Sequence, residues 1–255
     1  MKNDNIKTIN AHQQQIYDLF ERETAAELLK GYRDTLNNLI GGGGKSLKIL
    51  DLGGGAGHFA MSLRSCFPDK RCEIFVLDTT QYGTWTKNAD KITFVKDSAE
   101  NLSKLFAEET FDLIFANRVF HHFVKSSWSK SFRGMADIMK QVAFILKKNG
   151  LFCVTDHFFN GRLHHTSTSK IIYALTSIKL KPIAMLFRKL EAHTAGIGVC
   201  FLSKKMWLHL FSQTGFIIEA LKESPNRKLK WYEDLFLFIK NHSGDNVIIL
   251  QKKAG

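Results

Sequence analysis

Residues 47–59, Leu47-Lys48-Ile49-Leu50-Asp51-Leu52-Gly53-Gly54-Gly55-Ala56-Gly57-His58-Phe59, restrict the fold more than any other stretch of this 255-residue chain. Ile49, Leu50 and Leu52 form the apolar run of a strand covered on both faces, as in a parallel sheet. Gly53, Gly55 and Gly57 then allow a sharp turn and a close backbone approach to a ligand before a helix begins. A strand, a glycine turn and a helix start predict a ligand cradle. The glycine spacing limits what it holds. A dinucleotide fingerprint beginning at Gly53 requires glycine at position 58, which is His58. Gly44-Lys45-Ser46 fails as a phosphate loop because position 39 is Leu39 and the run precedes a strand instead of following one.

From Asp51 to Gly57 the chain reads acidic-x-Gly-x-Gly-x-Gly, which resembles the first motif of class I S-adenosylmethionine-dependent methyltransferases. Two later stretches agree with that pattern. Cys72-Glu73-Ile74-Phe75-Val76-Leu77 reads as a second strand delivering Asp78, where a carboxylate can accept hydrogen bonds from two ribose hydroxyls. Asp78 can alternatively cap a helix near Thr79 or Thr80. Ile92–Lys96 reads as a third strand followed by Asp97 and Ser98, the position at which the resembled family meets adenine. The resemblance covers residues 47–157 well and 203–252 loosely. It implies an α/β fold with a doubly wound, mostly parallel seven-stranded sheet and helices on both faces. The implied cofactor is S-adenosylmethionine, with S-adenosylhomocysteine as product. Asp51, Gly53, Gly54, Gly55, Gly57, Asp78, Thr79, Asp97 and Ser98 are then the expected cofactor-binding residues.

The rest of the chain is placed around this core, assigned to residues 46–157 and 204–255. Apolar residues at helical intervals predict a helix over 7–40, ending at Gly41–Gly44. In the resembled family, residues ahead of the first strand form a lid, a role open here to Tyr17 or Phe20 within 1–45; ordinary packing is the other reading. Strands are predicted at 111–116 and 151–155, with a helix at 131–147 between them closed by Asn149-Gly150. A further helix over 203–211, a sixth strand at 216–218 and a last, antiparallel strand at 247–250 complete the pattern. Leu235-Phe236-Leu237-Phe238 is an additional strand candidate with no evident place. Residues 158–203 exceed what the fold requires, and their apolar spacing predicts helices broken near Pro182; the resemblance implies that such an insertion forms a cap, which would enclose an apolar or aromatic acceptor with Phe158, Phe159, His164, His165 and His193.

Strand ends face the ligand crevice in such sheets, so Asn117 and Arg118 are expected beside the cofactor, and His122 and His157 beside the acceptor. A neutral imidazole is suited to removing a proton from a hydroxyl or amine, which makes His157 the first candidate base and His122 the second. Packing or orientation is the alternative for both. Neither His121-His122 nor His164-His165 has a recognised ligand spacing, and no metal is expected.

Composition narrows the partners. The four cysteines form no C-x-x-C pair, so a disulfide framework and a cysteine metal site are not indicated, and reduced thiols in a cytoplasmic protein are expected. No apolar run approaches the roughly 18 residues of a membrane-spanning helix. Residues 158–230 hold twelve Lys or Arg and three Asp or Glu, a net +9 of the +12 on the chain. Such asymmetry suits nucleic acid, an acidic membrane surface or simply a solvated face. A peripheral membrane contact stays open, and the oligomeric state is not read from sequence. With no recognisable RNA-binding motif, the expected activity is methylation of an O or N atom of a small molecule, with RNA, protein or peptide methylation, or catalytically idle cofactor binding, as the alternatives.

Overall fold

The computed structural model describes residues 23–32, 35–37, 46–66, 72–88, 92–178 and 198–253. In chain order these form a helix at 23–31 (α1), β1 (Leu47–Leu52), α2 (His58–Ser65), β2 (Cys72–Asp78), α3 (Gly83–Asn88), β3 (Thr93–Lys96), α4 (Leu102–Leu105), β4 (Phe111–Asn117) and α5 (Trp128–Ile145). They continue with β5 (Leu146–Gly161), α6 (Ser167–Thr176), α7 (Lys204–Gln213), β6 (Phe216–Lys222), α8 (Trp231–Leu235) and β7 (Ile239–Lys252). Tyr17, Phe20, the Gly41–Gly44 run, Pro182 and His193 lie outside the described residues.

The sheet has seven strands in the order β3-β2-β1-β4-β5-β7-β6. β1 pairs in parallel with β2 on one side and β4 on the other, so the chain reverses its direction of winding at β1. β7 runs antiparallel to both β5 and β6, as the sequence pattern predicts. Alternate side chains along the central strands enter different layers. Leu50, Leu52, Ile114 and Phe152 pack against Met135, Ile138 and Val142 of α5 and Trp207 and Leu210 of α7. Ile49, Leu113, Phe115 and Cys153 face the opposite layer, with Ala25 and Leu28 of α1, Tyr32, and Phe59 and Leu63 of α2. Two-sided burial is why these strands read as continuous apolar runs.

Several boundaries differ from the sequence expectation. α5 starts at Trp128, because the Ser127 side chain accepts from the Lys130 N–H at 3.2 Å, and ends at Ile145. Leu146 to Gly150, expected to close the helix, already belong to β5. β5 and β7 run well past the expected 151–155 and 247–250, pairing Asp156 with Asn246 and Phe159 with His242. Phe158 and Phe159 thereby belong to the sheet and its core, and α6 is the helix that the described residues of 158–203 form. Leu235–Phe238 is not a strand: Leu235 ends α8, and Phe238 has a φ of 49° in the connection to β7.

Phe115 is fully buried, with its ring centroid 5.0 Å from those of both Tyr32 and Phe59. Truncating such an aromatic typically costs about 3–5 kcal/mol. Phe115→Ala is expected to lower the unfolding free energy in denaturant titrations by that order. A loss below about 1 kcal/mol is incompatible with α1, α2 and β4 packing in this way.

Candidate functional site

The cradle is built from the backbone of residues 53–57. The Gly53 N–H donates to the Leu77 carbonyl at 2.7 Å, binding the turn to the end of β2. At Gly54 a Cβ atom would lie 2.3 Å from Asp51 Oδ2. Gly57, the residue before α2, has a φ of 82°, and a Cβ there would lie 2.8 Å from the Phe94 ring. Only glycine meets both demands. α3 holds the outer side of the turn: Trp85 Nε1 donates to the Gly55 carbonyl at 2.9 Å and Thr84 Oγ1 to that of Ala56 at 2.7 Å. Nothing in the sequence reading singled out Thr84 or Trp85, whose role depends on a loop brought back from β2.

A cavity of about 670 Å³ opens at the carboxyl ends of β1–β5. Of the expected residues, Asp51, Gly53, Gly54, Gly55, Asp78, Thr79, Asp97, Ser98, Asn117, Arg118, His122 and His157 all line it; Gly57 does not, and Tyr17 is not among the described residues. Thr24, Ala25 and Leu28 of α1 form part of the wall. The Asp78 carboxylate accepts the Gly55 N–H at 3.1 Å and the Thr80 N–H at 2.8 Å, so it both braces the turn and closes its own loop. Asp97 accepts from Asn101 Nδ2 at 2.8 Å and the Ser98 N–H at 2.6 Å, and these bonds hold its carboxyl below the ordinary range.

Asp51 is buried beneath Gly54, and its Oδ2 has no hydrogen-bond partner among the described residues. Burial, reinforced by the nearby Asp78 carboxylate, pushes it up to about 7. Asn117 accepts the Tyr32 hydroxyl at 2.9 Å through Oδ1, while its buried Nδ2 lacks a described partner. Arg118 differs from expectation in its chemistry. Its guanidinium forms a two-pronged pair with Asp245 of β7, with Nε 2.5 Å from Oδ1, and its charge is committed there.

The β4 and β5 ends contribute three imidazoles. His121 Nδ1 lies 2.8 Å from Asp156 Oδ1, and its ring stacks on Phe201 at 4.5 Å. The His121 ring is 4.2 Å from that of His122 and 6.1 Å from that of His157. His157 Nδ1 lies 3.1 Å from His242 Nε2, and Arg227 Nε donates to His242 Nδ1. Burial lowers His157 despite the opposing pull of Asp156, and desolvation with neighbouring His121 lowers His122. Both are neutral near pH 7. His164 and His165 instead lie away from the cavity with their rings tilted at 43° and 3.9 Å apart, because β5 carries the chain past it before they occur. The sequence places His121 at the strand end that lines the crevice but gives it no role, and it does not assign Asp156, Arg227 or His242 to the site; the Asp156-His157 pair at a strand end was the available signal.

The family described as Methyltransferase domain matches residues 20–221, well over half of the chain. The chain belongs to the class I S-adenosylmethionine-dependent methyltransferases. The uncharacterized methyltransferase YcgJ of Bacillus subtilis (strain 168) is 29% identical over 115 residues, spanning 44% of this chain and 41% of that protein. The solved YcgJ structure superimposes with a TM-score of 0.54 and 18% identity over 88% of this chain and 100% of that one. The 1,6-didemethyltoxoflavin-N1-methyltransferase of Burkholderia thailandensis, solved with 1,6-didemethyltoxoflavin and S-adenosylhomocysteine, gives a TM-score of 0.52 and 13% identity, covering 94% of this chain and 90% of that one. At these identities the structural likeness concerns the fold.

In this methyltransferase the buried carboxyl of Asp51 gives stability a definite pH dependence. Its folded value near 7 exceeds the usual carboxylate value, so the folded chain holds a proton that the unfolded chain has released. Stability therefore falls as pH rises from about 4 to about 7 and levels above. Asp51→Asn, which keeps the shape without the charge, is expected to stabilise the ligand-free protein more at about pH 8 than at about pH 5. Denaturant midpoints showing the same gain at both values contradict the buried-carboxyl assignment.

Proposed function

We propose that this methyltransferase transfers the methyl group of S-adenosylmethionine to an O or N atom of a small, apolar or aromatic molecule. The observation that carries this reading is the polarity of the cavity. Asp51, Asp78 and Asp97 line the β1–β3 end, whereas the β4–β5 end presents His121, His122 and His157. Among the described lining residues the one Lys or Arg is Arg118, already paired with Asp245. A polymer with a phosphate backbone requires basic contacts, which this lining lacks.

The acidic end suits the cofactor. In this reading Asp78 accepts the ribose hydroxyls, Asp97 and Ser98 bound the adenine, and Asp51 Oδ2, which has no partner among the described residues, opposes the cationic amino group. Gly53, Gly54, Gly55 and Gly57 let the chain pass close by, Thr79 continues the wall and Asn117 has an unengaged amide to donate. Arg118 contributes through its position beside Asp245. We assign residues 1–45 to a lid, because Thr24, Ala25 and Leu28 already form one side of the cavity, and 158–203 to a cap. Tyr17 belongs to the proposed lid.

S-adenosylmethionine, when bound, supplies an electrophilic sulfonium methyl. The chain's own task is to align the acceptor lone pair, exclude water and receive a proton where the acceptor carries one. His121, His122 and His157 at the β4–β5 end are the imidazoles present for the last requirement. A cytoplasmic setting with reduced thiols accords with the four unpaired cysteines. Among the described residues, no helix is long and apolar enough to cross a membrane.

Calorimetric titration with S-adenosylhomocysteine tests the cofactor half of the proposal. Asp78→Ala removes a charged acceptor worth about 1.5–3 kcal/mol and is expected to weaken binding by roughly tenfold or more. Unchanged affinity refutes the ribose assignment. For the acceptor half, methyl label from S-adenosylmethionine incubated with a cell extract is expected in low-mass, solvent-extractable product. Label confined to RNA or protein refutes the small-molecule reading.

A further inference from the structure

We infer that two hydrogen-bond chains hold the cavity histidines in opposite tautomers, making His121 the proton acceptor and His157 a hydrogen-bond donor to the methyl acceptor. This deepens the proposed methyl transfer and rests on it.

The first chain begins at Glu233. Its carboxylate holds the Arg227 guanidinium with two contacts, one of them Arg227 Nη1 to Oε2 at 2.9 Å. Arg227 Nε then donates to His242 Nδ1. A guanidinium N–H can only donate, so His242 Nδ1 must present its lone pair and neutral His242 carries its proton on Nε2. That proton points at His157 Nδ1, 3.1 Å away. His157 Nδ1 is therefore also an acceptor, and its own proton sits on Nε2. Either ring as an imidazolium would set two N–H groups against each other. Burial, the Arg227 charge and His157 accordingly lower His242 to about 3, and His157 too lies below the ordinary value.

The second chain has the opposite sense. Asp156 is buried, which by itself would raise it, yet His121 and His157 hold it below the usual carboxylate value. Its Oδ1 accepts the His157 backbone N–H at 2.8 Å and faces His121 Nδ1 at 2.8 Å. An ionised carboxylate can only accept, so His121 carries its proton on Nδ1 and leaves the Nε2 lone pair free of described partners. Phe201 fixes the plane of that ring. His122 makes no side-chain hydrogen bond to a described residue, so no described residue sets its tautomer.

The expected order of the histidines is thereby revised. His157 cannot receive a proton at Nε2, which already has one; it can hydrogen-bond to an oxygen or nitrogen of the acceptor. His121 takes the proton from the attacking group: the acceptor O–H or N–H bond breaks toward His121 Nε2, the heteroatom lone pair forms the new bond to the methyl carbon, and the methyl–sulfur bond breaks with its electron pair left on sulfur. With the two rings 6.1 Å apart, the substrate class is a molecule whose hydroxyl or ring N–H lies beside a second heteroatom that accepts a hydrogen bond, such as a hydroxycarbonyl or lactam. Arg227 and Asp156 are positioning residues.

Long-range proton–nitrogen correlation spectra of the full chain, uniformly labelled with nitrogen-15 and recorded near neutral pH, read the tautomers directly. His121 is expected as the Nδ1–H form, with His157 and His242 as Nε2–H forms, each assigned by its His→Gln variant. Arg227→Met is expected to release His157 into a mixture of tautomers without changing His121. His157 protonated at Nδ1, or His121 protonated at Nε2, in the unaltered protein overturns the inference whether or not the variant folds. A folded Arg227→Met protein with an unchanged His157 spectrum overturns the role of Arg227. S-adenosylhomocysteine titration keeps the two proposals apart: absent binding with the expected tautomers refutes the methyl-transfer reading and leaves the hydrogen-bond chains standing.

Discussion

A carboxylate at the end of a buried strand requires a cation, a proton or donors, and Asp51 is placed where described donors do not reach its Oδ2. That arrangement exists because Gly54 has no side chain: a Cβ there would fall on the carboxylate and also touch Val76. Moving Asp51 aside would push on β2, whose Leu77 carbonyl receives the Gly53 N–H and whose Asp78 receives that of Gly55. The end of β1, the turn and the end of β2 are thus one unit, and the acidic wall of the cavity is set by it. Holding an unneutralised carboxyl there is unfavourable to folding and favourable to a cationic ligand, the usual relation between stability and function at a binding site.

The other wall has a different origin. β5 and β7 continue as an antiparallel pair past the point where the parallel strands stop, carrying Asp156, His157, His242 and Asp245 along the rim. Two hydrogen bonds tie buried polar groups there: Asn246 Nδ2 donates to the Asp156 carbonyl at 3.0 Å within the ribbon, and the Tyr32 hydroxyl reaches Thr155 Oγ1 at 2.5 Å from outside it. Asp245 neutralises Arg118, while Asp156 keeps its charge buried behind His121 and His157. One cavity therefore offers an end lined by carboxylates and an end lined by imidazoles, with the transferred group between them under the proposed function.

How far the sequence revealed this follows from which residues carry the signal. β1, β2 and β4 were legible because both faces are apolar, and the Asp51–Gly57 spacing located the cradle. The outer halves of β5 and β7 were not, since Thr155, Asp156, His242, Ser243 and Asn246 are polar yet buried, and hydropathy stops where hydrogen bonding takes over. Asp78 and Asp97 were found from their place after a strand. Arg227 and Glu233 were not, because their relation to His157 runs through His242, 85 residues further along the chain than His157. Partners joined by long-range pairing leave no local pattern.

The basic asymmetry is the clearest case of a pattern that changes meaning in three dimensions. Counted along the chain, residues 158–230 are strongly positive, but the count ends just before their counterions. Arg227 pairs with Glu233 and Arg162 with Asp234, both beyond that boundary, while Lys204 meets Glu223 within it. Exposed pairs such as Arg162–Asp234 contribute little to stability, typically about 0–1 kcal/mol. Their consequence is electrostatic and local: each pair cancels one positive charge of the twelve, and the cavity itself carries carboxylates on one wall. A polyanion would not be drawn into the cavity past that wall. The charge excess is thus compatible with the small acceptor of the proposed function, whose selection would fall to the shape and hydrogen-bond polarity of the histidine end.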